Sequence, residues 1–280
     1  MKVSLIITTY NWKEALDLVF KSIARQTVLP DEILVGDDGS RPDTGELIAA
    51  WAKRLPVPVR HLWQEDTGFR VARARNLAIA KATGDYIVNI DGDIVLHPHF
   101  IEDHRRAARH GYFIQGARLL TGPKTAQRLL DESVTELHFF SPDVERRRHT
   151  LRNRFLSWLV MQRTHTDQKA VRSCNQAYWR DDLIKVNGFN EAMVGYSRED
   201  NELVERLYNA GVPRKNLKFA ALAVHLYHPT RRKAGDNPND ALFQATIKNK
   251  AKWCALGLDQ HLLNQPLAGK AVPANKKATS

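Results

Sequence analysis

Tyr86-Ile87-Val88-Asn89-Ile90-Asp91-Gly92-Asp93 is a short apolar run that stops on two carboxylates one residue apart. Bounded by Gly84 on one side and Asp-Gly on the other, it reads as a strand buried on both faces. The same grammar recurs towards the N-terminus. Val3–Thr8, Glu32–Gly36 and Val59–Trp63 read as strands, separated by helical patterns. The first helix is expected to start after Asn11, with Asn11 as cap and Glu14 completing a capping box. Leu16, Val19, Phe20 and Ile23 form its apolar face. A second helix is expected from about Asp43 to Leu55 and a third from about Val71 to Ala82, ended by Gly84. Such alternation predicts an α/β fold, a mostly parallel sheet flanked by helices. Ligands of open α/β sheets bind beyond the carboxyl ends of the strands.

The strand ends are polar. The first closes on Thr8-Thr9-Tyr10-Asn11, the second on Asp37-Asp38-Gly39-Ser40, and the fourth on Asp91-Gly92-Asp93. Carboxylates thus gather at one sheet edge of a chain whose formal charge is +11. That balance favours a polyanionic partner: nucleic acid, an anionic membrane or a phosphorylated ligand. With 43% hydrophobic and 26% charged residues the composition is globular, which excludes a disordered chain. No apolar run approaches the roughly 20 residues that span a bilayer. The opening run is too short for a signal peptide and lacks a small-residue cleavage site, so cytoplasmic residence is the default. Cys174 and Cys254 are expected as two free thiols.

Five segments carry chemistry, each with a plainer alternative. Asp91 and Asp93 can approach one hard divalent cation, which can bridge diphosphate oxygens; the alternative is an Asp-Gly turn. Asp37-Asp38 can accept bonds from a ribose hydroxyl or a base N–H, or form a polar turn. In Glu65-Asp66-Thr67-Gly68-Phe69-Arg70 and the residues after it, Arg70 and Arg75 can pair with phosphate or base and Asn76 can anchor the loop. A solvated helix face is the alternative and suits Arg73 best. Gly195-Tyr196-Ser197-Arg198-Glu199-Asp200 leads into a helix, where the dipole would keep a carboxylate ionised and fit to act as a base; simple capping is the alternative. His225 and His228, after a late strand, can complete a carboxylate metal site or be structural.

From about Leu119 to Lys169 the pattern weakens. Arg146, Arg147, Arg148, Arg152 and Arg154 precede Phe155 and Trp158, and the stretch is read as an insertion with an amphipathic, arginine-rich helix. It suits docking on anionic lipid or a phosphorylated glycolipid, or a solvated face. Later, a helix is expected from Glu199 to Gly211, a strand from about Leu217 to Val224, and a helix over Ala241–Ala255. The resulting division is a first half (1–118), a basic helical insertion (119–170), a second half (171–265) and a frayed tail (266–280), all within a single domain.

In order and spacing, Ile6-Ile7-Thr8-Thr9-Tyr10-Asn11, Asp37-Asp38-Gly39-Ser40 and Asp91-Gly92-Asp93 resemble family 2 glycosyltransferases over about the first 120 residues. The Glu65–Arg70 and Gly195–Glu202 segments resemble bacterial chondroitin and hyaluronan polymerases, and the latter also the carboxy-terminal region of β-1,4-galactosyltransferases. The resemblance implies a GT-A fold, a nucleotide-sugar donor such as a UDP-sugar, Mn²⁺ or Mg²⁺, and a glycan or glycolipid acceptor in bacterial surface polysaccharide or lipopolysaccharide assembly. It implies that Asp38 meets the donor base, with Thr8, Tyr10, Arg70 and Arg75 on the donor side. Asp93 is then the principal metal ligand, and Asp91 a ligand to ribose or metal. Asp200 is the base and Glu199 an acceptor contact; His225 is the late metal histidine, with His228 in reserve. Tyr196 stands where that family has tryptophan, and Arg198 where glycine is common. Inverting single displacement is the implied reaction. A catalytically inactive sugar-nucleotide binder is the alternative. A nucleic-acid-binding protein is disfavoured: aromatic and basic residues are not interleaved, and the acidic strand ends repel phosphates.

Overall fold

The computed structural model describes residues 1–135, 137–169, 171–229 and 237–262; the expected tail at 266–280 lies outside the described residues. Val3–Thr9 (β1) is buried at all seven positions, as its unbroken apolar and hydroxyl run requires of a central strand. It pairs in parallel with β2 (Glu32–Asp37) on one side, and β3 (Val59–Trp63) extends the sheet beyond β2. Helices α1 (Lys13–Ala24), α2 (Pro42–Arg54) and α3 (Val71–Lys81) cover these strands. On the other side of β1 lies β4 (Tyr86–Asp91), also parallel. Helix α3 rests directly on β2, because Gly36 has no side chain: a Cβ there would lie 2.6 Å from the Ala74 carbonyl oxygen.

The remainder supplies β5 (Ile94–Leu96), α4 (Phe100–Ala107), β6 (Phe113–Gly116), β7 (Leu119–Thr121), α5 (Pro123–Glu132) and β8 (Val144–Glu145). A 3₁₀ turn at Arg147–Thr150 leads to α6 (Arg154–Met161) and β9 (Thr164–His165). Then come β10 (Asn175–Trp179), α7 (Arg180–Lys185), α8 (Glu199–Asn209), β11 (Arg214–Leu217), β12 (Ala223–His225), α9 (Pro238–Lys248) and α10 (Asp259–Leu262). The large sheet runs β3-β2-β1-β4-β10-β6-β11-β9, and a small one runs β5-β12-β7-β8. The predicted parallel character holds from β3 to β4. Beyond β4 the sheet is mixed, since β10 runs antiparallel to both β4 and β6.

Several expectations are corrected. Asn11 does not cap α1. It adopts φ 48°, its side chain accepts from the Arg41 N–H, and its own N–H donates to Ser40, so it latches the first strand end to the second. The N-cap position falls on Trp12, which removes Glu14 from capping-box register. The strand foreseen over Leu217–Val224 is two strands in different sheets. The chain turns between them through Phe219 (φ 60°) and Ala221 (φ 44°). The helix foreseen at Ala241–Ala255 is α9, which starts and ends earlier. The stretch 119–170 is not a separate helical insertion: it gives β7 and β8 to the small sheet and β9 to the large one. Its arginines fall mostly in the 3₁₀ turn and the loops, not along one helix face.

Candidate active site

A cleft of about 1150 Å³ opens where β1 and β4 end, and it is lined from both halves of the chain. Thr8, Tyr10, Asp38, Arg75, Asp91, Asp93, Glu199, Asp200, His225 and His228 all line it, so these predicted residues are brought together. On the donor side Asp38 accepts from the Arg70 backbone N–H at 2.8 Å and from the Gln64 amide. Burial pushes its carboxyl above the ordinary value, against those two bonds. Tyr10 donates to Asp66 at 2.9 Å. Asp37 is structural: it holds the Ser40 N–H and the His61 ring beneath the loop. Arg70 departs from its predicted role, because its guanidinium bonds the Glu65 carbonyl of its own loop and does not line the cleft.

Asp93, His225 and His228 form a cluster whose ligating atoms lie within 4.8 Å of one another. Strand pairing builds it. His225 sits opposite Ile94, the residue after Asp93, and the Leu226 N–H donates to the Asp93 carbonyl. The two Nε2 atoms lie 3.5 and 3.3 Å from one Asp93 oxygen. The other oxygen, Oδ1, is buried with no hydrogen-bond partner among the described residues. Burial opposes charge on Asp93, but His225, His228 and Arg118 outweigh it and hold the carboxyl below its usual range. Asp91, read from sequence as a ligand to ribose or metal, stands outside this cluster. Its Oδ1 accepts from Thr8 Oγ1 and from Arg75 Nη2, each at 3.1 Å. An acceptor-rich group with an orphaned carboxylate oxygen fits a divalent cation; two imidazoles with one carboxylate suit Mn²⁺ better than Mg²⁺, which prefers an all-oxygen shell.

The other wall belongs to the start of α8. Arg75, fully buried, bridges Asp91 and Glu199 Oε1 (3.2 Å) and lies 5.0 Å over the Phe189 ring. Its guanidinium is thus committed to carboxylates, which corrects its reading as a phosphate ligand. Asn76, on the same helix, holds Phe189 from both sides, donating to its carbonyl and accepting its N–H at 2.8 Å. Burial, then the charge on Asp200, pushes Glu199 up to about 7 against the pull of Arg75. Asp200 accepts from the Asn201 N–H at 2.8 Å and the Ser173 N–H at 3.3 Å. Burial still raises its carboxyl above the ordinary value. The helix-dipole argument from sequence, which kept this group low, is outweighed by desolvation.

Among the cleft residues that were not foreseen, two arginines stand beside its carboxylates. Arg118 lines the cleft beside Asp91 and Asp93 and donates to Cys174 Sγ at 2.7 Å, with its Nε buried and unpartnered among the described residues. Arg172 flanks Asp200. The strand-end rule applied to β6 points to Arg118, but that four-residue strand left no sequence pattern. Cys174 and Cys254 are both free and buried, as expected.

Comparison with known proteins bears on this cleft. Residues 4–169 match the profile of glycosyl transferase family 2, and residues 160–229 match that of the N-terminal domain of galactosyltransferase. Validoxylamine A glucosyltransferase of Streptomyces hygroscopicus subsp. limoneus is 29% identical over 226 residues, covering 75% of this chain and 49% of the relative. Chondroitin synthase of Escherichia coli is 24% identical over 274 residues, covering 88% of this chain and 38% of the relative. This chain therefore spans half or less of these curated relatives. Among solved structures, S. aureus TarS 1–349 in complex with UDP-GlcNAc superposes with a TM-score of 0.61 at 16% identity, over 94% of this chain and 72% of that one. Mannosyltransferase PcManGT from Pyrobaculum calidifontis, in complex with GDP-Man and Mn²⁺, gives 0.55 at 17% identity, over 89% and 62%. The architecture is that of GT-A enzymes. With the family profile matched over more than half of its length, the chain belongs to glycosyl transferase family 2.

Proposed function

We propose that the chain transfers a hexose from a UDP-sugar to a hydroxyl of a glycan or glycolipid acceptor, with inversion and with a divalent cation, Mn²⁺ rather than Mg²⁺. One observation carries this reading. The Asp93–His225–His228 cluster, with its orphaned Oδ1, and the Glu199–Asp200 pair line a single cleft. Asp93, His225 and His228 would hold the cation, which when bound supplies Lewis-acid charge to the departing diphosphate. Asp38 receives the donor base, and Thr8 and Tyr10 border the nucleotide. Asp91, oriented by Thr8 and Arg75, meets the ribose. Asp200 takes the proton of the acceptor hydroxyl, whose oxygen attacks the anomeric carbon as the bond to the diphosphate breaks. Glu199, held by Arg75, contacts the acceptor. Both raised carboxyls suit proton capture from a weak acid better than ordinary ones would.

The curated relatives named for chondroitin synthesis support a polysaccharide-type acceptor in cell-surface glycan assembly. A nucleotide-sugar donor and two free thiols fit a reducing, cytoplasmic compartment. The test is calorimetric titration of UDP with and without Mn²⁺, on wild type and Asp93→Ala. Binding to wild type should strengthen at least tenfold with Mn²⁺, and the substitution should remove that gain. A gain that persists in Asp93→Ala rejects the metal assignment. Release of UDP or GDP across a panel of sugar donors then identifies the sugar.

A further inference from the structure

Between Arg146 and Thr166 the chain carries Arg146, Arg147, Arg148, Arg152, Arg154 and Arg163, and no Asp or Glu. Within this stretch α6 buries only Ser157. Phe155 is 65% exposed and Trp158 57%, with Leu151, Leu156 and Leu159 exposed beside them. The two rings stack with centroids 6.0 Å apart. A surface helix of a globular protein normally turns its apolar stripe inward; this one turns it outward.

The presentation is built into the fold. Asn153 caps the helix by accepting from the Leu156 N–H, and its own N–H bonds the Phe219 carbonyl after β11. Arg152 is tied to Asp103 and Arg147 to the carbonyls of Phe139 and Ser141. Arg146, Arg148, Arg154 and Arg163 are exposed and make no ion pair among the described residues. His149 lies buried close by. Burial, and after it the positive charges of Arg148, Lys218 and Arg146, push it down to about 4.

We propose that this face docks on an anionic phospholipid bilayer. Phenylalanine, tryptophan and leucine would enter the headgroup–acyl boundary, and the surrounding guanidinium groups would meet lipid phosphates. Eight residues are too few to cross, and among the described residues no helix is long and apolar enough to do so. Contact is therefore interfacial. It does not depend on the chemistry proposed for the cleft, since neither α6 nor the four exposed arginines line it.

Co-sedimentation of the full chain with phosphatidylcholine vesicles, with and without phosphatidylglycerol, tests this. Binding should require phosphatidylglycerol. A Phe155→Ser, Trp158→Ser double variant should lose about tenfold in affinity for each ring removed. Arg146→Gln with Arg148→Gln should lose about fivefold for each charge. Both variants should keep the wild-type melting temperature, because the altered side chains are exposed. Brominated acyl chains should quench wild-type fluorescence more than that of Trp158→Phe. Binding indifferent to phosphatidylglycerol overturns the proposal, as does binding unchanged in the aromatic variant. Self-association that needs Phe155 and Trp158, without lipid binding, overturns it in favour of a second copy as occupant.

Discussion

Arg75 sits between two carboxylates, Asp91 and Glu199, which the proposed function assigns to donor and acceptor respectively. Replacing Asp200 by Asn should lower transfer by at least about a hundredfold while leaving UDP affinity unchanged. Single-turnover kinetics beside calorimetry reads both. Asp200 must be charged to take a proton, and burial raises it while its neighbour Glu199 is pushed up to about 7. Transfer should therefore rise with pH along a limb lying above the ordinary carboxylate range. In Glu199→Gln the neighbouring negative charge is gone and Arg75 has one carboxylate fewer to serve, so the limb should move to lower pH. A pH–rate profile for the two proteins decides this; an unmoved limb would detach Glu199 from the base. That Thr8, Tyr10, Asp38, Asp91 and Asp93 would share one cleft was legible because the carboxyl ends of neighbouring parallel strands lie along one sheet edge. The commitments of Arg70 and Arg75 were not, because sequence shows a cation without showing which carboxylate or carbonyl has already claimed it.

At the level of elements, β1 to β4 and α1 to α3 were readable, since β1, β2 and β4 are short, buried and mainly apolar runs and α1 and α2 each keep an apolar face. Strand β10 escaped for the opposite reason. Asn175 and Gln176 are buried there but polar, satisfied by carbonyls and by Gln115. No hydropathy pattern distinguishes such a strand from a loop. The segment Leu217–Val224 misled because its apolar run is broken only at Lys218, whereas the left-handed residues inside it, Phe219 and Ala221, carry none of the usual turn chemistry. Contact between α3 and β2 can be tested through Gly36. Gly36→Ala drives a methyl against the Ala74 carbonyl and should cost about 1–3 kcal/mol, measured by urea denaturation. An unchanged midpoint would mean that the helix can lift without loss.

For the molecule as a whole, acid stability should hinge in part on His104. Its ring is buried on α4, bonded to Asn175 at 3.0 Å, and its Nδ1 has no partner among the described residues. Burial lowers its pKa from 6.5 to about 4. Between those values the unfolded chain binds a proton that the folded chain refuses, so this contribution is present above 6.5 and is lost as pH falls towards 4. The loss should be on the order of 3 kcal/mol. His104→Gln should flatten the dependence of melting temperature on pH in that window; an identical slope would remove His104 from the account. Sequence order alone did not show how closely 119–170 is woven into the body, because its partners lie far away along the chain. Asp103 illustrates the point. It is buried on α4, accepts Arg152 in a two-pronged bond at 2.9 and 2.7 Å, and also takes the Ala221 N–H. Anyone trimming the protein to a minimal catalyst would strip that buried carboxylate of its two-pronged partner and leave it only the looser Arg106, 3.7 Å away, so the segment cannot be treated as a detachable cassette unless Asp103 is redesigned along with it.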